Sequence, residues 1–142
     1  MLTKKFWSTF LVVFITLEVT NLLFSLITAP VFNDPQIMEV LRPDADLDSK
    51  MWIIILMDLV WSFLFVLIFS KGYENKGILE GVRYGIYIGL FYSMVTSYTT
   101  YALFPMPYKF ALTLFLTGLI QCIILGIVAA LVYKPKSAPV TQ

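Results

Sequence analysis

The chain contains no histidine. That absence removes haem ligation by imidazole, the usual zinc and copper sites, and every Ser-His or Cys-His catalytic arrangement. Cysteine occurs once, at Cys122 inside an apolar run, so neither an intramolecular disulfide nor a redox pair is available. Charge is scarce: Asp, Glu, Lys and Arg make up 13% of the residues, too few to cover the surface of a water-soluble domain. Ten basic and nine acidic residues leave a formal charge of +1, so no global field favours nucleic acid or an acidic partner.

Apolar residues fill the space, at 59% of 142 positions. They fall into four runs, about 6–29, 51–70, 77–104 and 110–133, each near the ~20 residues that cross a bilayer as a helix. The pattern predicts an all-α membrane protein, an antiparallel four-helix transmembrane bundle in one domain over residues 1–133. The polar, proline-broken end, 134–142, reads as a disordered tail. Lys4 and Lys5 ahead of the first run imitate a signal peptide, but the run is too long and carries Glu18 and Asn21. Cleavage after Ala29 would also leave Pro30 at the new N-terminus, so the run is expected to be a retained span.

The 30–50 segment is the one sizeable loop. Asp34-Pro35 has the form of an N-cap followed by proline at the first helical position, predicting a short interfacial helix. Asp44, Asp46 and Asp48 have the spacing that opens an EF-hand, but Ser49 and Ile55 stand where that loop needs glycine and glutamate. Capping of the following helix is the expected role of these aspartates, and no metal site is expected. Lys4, Lys5, Lys71, Lys76, Lys134 and Lys136 gather at one set of span ends, and Arg42, Lys50 and Lys109 at the other. The excess predicts both termini and the 71–76 turn on the cytoplasmic side. Trp7, Trp52, Tyr73, Tyr108 and Tyr133 fall near span ends, as an interfacial belt does.

Gly77, Gly81, Gly85 and Gly89 recur at every fourth position of the third run. Residues four apart share a helix face, so they form a groove through which a second helix approaches closely. Gly118, Cys122 and Gly126 make a matching face on the fourth run. Glu80 and Arg83 are expected to form an interfacial salt bridge, Arg83 snorkelling toward the nearer membrane surface.

Counted at about 1.5 Å per residue, Glu18, Ser93 and Gln121 lie near the midplane, with Asn21, Asp58 and Thr96 slightly shallower. These six residues are the candidate intramembrane polar site. One reading is a proton or cation site, because ionisable groups at such depth face the bundle interior and mark ion pathways. The other is structural: neutral carboxyl groups hydrogen-bonding neighbouring helices.

Arg42-Pro43-Asp44, the stretch Lys71–Gly85 and Tyr101-Ala-Leu-Phe-Pro105-Met-Pro107 resemble a group of small bacterial four-span membrane proteins of unknown function. The resemblance implies the same architecture and a bacterial inner membrane location. A looser similarity, in the four short spans and a first-span glutamate at Glu18, is to small multidrug-resistance transporters. The leading functional expectation is a structural or accessory protein assembled through its glycine faces, with lipid and a homo-oligomer or larger membrane complex as partners. The alternative is a proton- or cation-coupled transporter or binding protein using Glu18 and Asp58. With no nucleophile–base pair, metal cluster or cofactor motif, no enzymatic activity and no cofactor are expected.

Overall fold

A computed structural model describes residues 3–134, and every described element is helical. The expected tail beyond Lys134 lies outside the described residues. Helix α1 spans Lys4–Phe32, α4 Met51–Gly72 and α7 Tyr108–Tyr133. These three are long and apolar enough to cross a membrane, and they mark the chain as a membrane protein. Between them lie two short helices, α2 (Pro35–Met38) and α3 (Asp44–Asp48), and a composite run. That run is α5 (Ile78–Gly89), a π turn (Leu90–Met94) and α6 (Val95–Leu103), joined without interruption.

Local chemistry sets the boundaries. The Thr3 hydroxyl caps α1 by accepting from the Phe6 N–H. Asp34 caps α2 with Pro35 in its first turn, as the sequence predicts. The aspartates at 44–48 behave differently from expectation. They build α3 itself, with Asp44 and Asp46 in its first turn, and α4 starts at Met51 behind Lys50, which provides no side-chain cap. Asp46 is also taken up by Arg42 and Lys50, the neighbours one turn away on either side.

α7 is the central helix, packed against α1 on one side and α5–π–α6 on the other; α4 leans on α1. The α5–α7 seam is where backbones meet. A Cβ placed on Gly85 would sit 2.6 Å from Ile123 Cα, and one on Gly81 would sit 2.7 Å from the Gly126 carbonyl carbon. Gly118 lies under Ser93, and Gly89 lies against Leu119 and Cys122. Gly77 is a correction to the expected ladder. It precedes α5 at φ 80° with open space around it, so it serves a left-handed turn rather than packing.

The buried positions of the composite run are Gly81, Gly85, Gly89, Ser93 and Ser97, every fourth residue. On an α-helix of 3.6 residues per turn, each four-residue step drifts by about 40°. The π turn holds more residues per turn, so the drift reverses there and Ser93 and Ser97 stay on the α7 face. The unbroken α-helix expected over 77–104 is therefore corrected to a helix re-phased at its middle.

Two apolar clusters lie at opposite ends of the bundle. Phe6, Val13, Leu17, Phe65, Val66, Phe69, Leu125, Ala129 and Ala130 form the larger one, toward the described termini. Ile37, Met106 and Phe110 form the smaller one, where α2 folds over the start of α7. α4 reaches the composite run mainly through long side chains: the Tyr84 hydroxyl donates to the Phe65 carbonyl at 2.6 Å, and Trp61 meets Tyr92.

Candidate functional site

Between the two apolar clusters, α1, α4 and α7 bring polar side chains together. Gln121 on α7 donates through Nε2 to Asn21 Oδ1 at 2.7 Å and to Thr20 Oγ1 at 2.8 Å. Asn21 passes the chain on, its Nδ2 donating to Asp58 Oδ2 at 3.1 Å. Thr20 spends its own proton on the carbonyls of Thr16 and Leu17, which leaves its oxygen free to accept from Gln121. The relay runs in one direction and ends on a carboxyl group. Polar side chains this far along apolar helices are costly to leave unpaired, so the relay also ties the three helices together.

Glu18 stands beside Asp58, close enough for their carboxyl groups to interact. Its Oε1 is buried and has no hydrogen-bond partner.

A cavity of about 200 Å³ opens next to the relay, lined by Asp58, Asn21 and Gln121 together with Leu17, Met57, Trp61, Tyr92, Gly118 and Cys122. It shares Asn21, Gly118 and Gln121 with a second chamber of about 580 Å³. That chamber follows α1 past Phe24 and Thr28 to Asn33, with Ile54, Leu114 and Thr117 on its other walls. α6 contributes no wall to it, and α4 and α6 hardly touch. No lysine or arginine lines either chamber. The ion pairs among the described residues all lie in the loops and at helix starts: Arg42–Asp46, Lys50–Asp46, Lys76–Glu74 and Lys109–Asp34.

Of the six residues singled out from sequence, Asn21, Asp58 and Gln121 share the smaller cavity. Glu18 stands beside Asp58 but lines neither chamber. Ser93 sits behind the shared wall at Gly118, its hydroxyl buried and unpartnered. Thr96 is exposed and away from the relay, because the buried face passes through Ser93 and Ser97, one residue out of step with it. Thr20, Trp61 and Tyr92 are additions. Thr20 is the neighbour of Asn21 and was hidden by its ordinary role as a helix threonine. Tyr92 reaches the cavity from the π turn, which periodicity alone does not reveal.

Known protein families, curated proteins and solved structures give no match to this chain. What the site does has to be argued from its own groups.

The expected Glu80–Arg83 bridge is corrected. Glu80 turns back to accept the backbone N–H groups of Glu74 and Lys76, the latter at 2.8 Å. A carboxylate in the first turn of α5 gains from both the helix dipole and those charge-assisted bonds, whereas an ion pair with the exposed Arg83 would add little. Arg83 instead adds to the positive field at Glu74, whose carboxyl is held below its ordinary range chiefly by Lys76.

Proposed function

We propose that this protein is a four-span bundle of the bacterial cytoplasmic membrane, with both termini inside, that binds a cation at Asp58 in competition with protons. The observation that carries the reading is the Asp58 carboxyl on a cavity wall with no basic side chain to neutralise it. An ionised carboxylate in lipid is expensive without a partner, so a mobile cation or a proton has to fill that role. The titratable groups around Asp58 are Glu18 on α1, Tyr92 on the π turn and Cys122 on α7, and none of them is a base that carries positive charge.

The composite run Ile78–Leu103 supplies the fourth crossing, and the lysine excess supports the inward placement of both ends. The accessory reading is less well supported. It needs a free small-residue face, and the two such faces are pressed against each other within one chain.

Proton competition is the test. Purified protein in weakly buffered solution is titrated with sodium chloride and then with tetramethylammonium chloride while released protons are followed with a pH dye. Release that saturates, and that Asp58→Asn abolishes without changing helicity, is expected. Absence of release with both salts would sink the reading. Orientation is tested separately by thiol labelling of Ser49→Cys and Lys76→Cys in intact cells, with only the former reacting from outside.

A further inference from the structure

Independently of Asp58, we infer that the end of the bundle holding the start of α1 and the end of α7 seats the phosphate headgroup of an anionic membrane phospholipid. The lipid's acyl chains lie along α1.

A cavity of about 570 Å³ opens where the start of α1, the turn between α4 and α5, and the end of α7 meet. Its walls are Thr3, Lys4, Lys5, Tyr73, Asn75 and Tyr133, with no carboxylate among them. Lys5 Nζ donates to the Lys134 carbonyl at 3.2 Å, which ties the first long helix to the last and leaves the ammonium two further N–H groups. The Tyr73 hydroxyl donates to Asn75 Oδ1 at 3.0 Å, so the Asn75 amide has both its donors left to offer. Asn75 is held in place by its turn. Its backbone lies at φ 60°, and the residues on either side donate their N–H groups to Glu80. Glu80 is thereby committed to the turn, and Glu74 is paired with Lys76. The two carboxylates of this corner leave the lysines of the cavity unneutralised.

The opposite end of the bundle is different. There Arg42 and Lys50 share Asp46, and Lys109 holds Asp34. Among the described residues Lys4 and Lys5 have no such carboxylate, so their counter-charge has to come from outside the described chain. A phosphate suits the corner: lysine binds it as a point charge, and the amide and phenol groups add neutral hydrogen bonds. The same helix face says where that phosphate comes from. Trp7, Leu11 and Ile15 share the face of α1 that carries Lys4, and they are 51%, 55% and 52% exposed. A free phosphate leaves this apolar track unused. A phospholipid places its head among the lysines and its chains along the track.

The test uses delipidated full-length protein in detergent, with bound lipid counted by native mass spectrometry. The probes are phosphatidylglycerol, phosphatidylcholine with the same acyl chains, and inorganic phosphate as a competitor. One phosphatidylglycerol should be held at least about tenfold more tightly than phosphatidylcholine, and inorganic phosphate should not displace it. Lys4→Gln/Lys5→Gln should reduce that preference to about twofold or less. Lys4→Gln alone, which breaks no contact among the described residues, should lower it about fivefold with the fold intact. Lys71→Gln/Arg83→Gln removes the same charge from the same end without touching the cavity, and should leave the preference unchanged. Equal retention of the two lipids, or equal losses in the two double variants, would overturn the site. Displacement of phosphatidylglycerol by inorganic phosphate would overturn the assignment to lipid.

Discussion

Replacing Gly85 with alanine adds one methyl group where the structure has no room for it. The new Cβ would lie 2.6 Å from Ile123 Cα and 2.8 Å from the Cys122 carbonyl carbon. Carbon atoms rest at about 3.5–4.0 Å, so the α5–α7 seam has to widen by about 1 Å. Both obstacles are backbone atoms, which no rotamer change can clear. Overpacking of this kind costs about 1–3 kcal/mol. Because the obstacles are backbone, the upper part of that range applies, and with alanine's better helix propensity returning at most about 1 kcal/mol a net loss of about 1–2 kcal/mol is expected. Gly72→Ala is the control, since nothing lies within 4 Å of its Cβ, and it should be close to neutral. Gly77→Ala should lose about 1–3 kcal/mol for a different reason, its backbone at φ 80° and ψ −155°, a conformation almost confined to glycine. Denaturant titration of the three variants in detergent, followed by circular dichroism, separates the cases. Gly85→Ala as stable as the parent would refute the backbone-contact account of the seam.

Other outcomes follow from single contacts. Tyr84→Phe removes the hydrogen bond to the Phe65 carbonyl and should cost about 1 kcal/mol, measured in the same titration. Glu80→Ala leaves the N–H groups of Glu74 and Lys76 unpaired, so hydrogen exchange at those two amides should accelerate while the rest of α5 is unchanged. Asp34 is held below the ordinary carboxylate range, first by Lys109 and then by the Gln36 N–H. Its contribution is therefore present above its unfolded pKa and lost as pH falls through the lowered folded value. Asp34→Asn should flatten the acid limb of the melting-temperature profile and leave the neutral region nearly parallel to the parent.

Much of the helical layout was legible because apolar run lengths report it directly. Limits such as Lys4–Phe32 and Tyr108–Tyr133 lie within a few residues of the runs read from sequence. The small-residue faces were legible too, since spacing by four is a local signal, yet Gly77 obeyed the spacing and not the role. Its positive φ depends on where α5 begins, and a start between Lys76 and Ile78 is not written in the glycine pattern. The polar relay was partly legible through depth. Depth cannot say which way a side chain faces, however, and Thr96 shares the depth of Asn21 while facing out. The π turn is the least legible feature, because it is enforced by the need to keep Ser93 and Ser97 against α7. Tyr92 reaches the cavity only through it.

The central claim is that Asp58, not Glu18, meets the ligand. Infrared difference spectra of the protein with and without tetramethylammonium report the carboxyl group that changes protonation on binding. The account predicts a negative band in the carboxyl C=O region that disappears in Asp58→Asn and persists in Glu18→Gln. A band that survives Asp58→Asn and vanishes in Glu18→Gln, or no band in the parent protein, would contradict it.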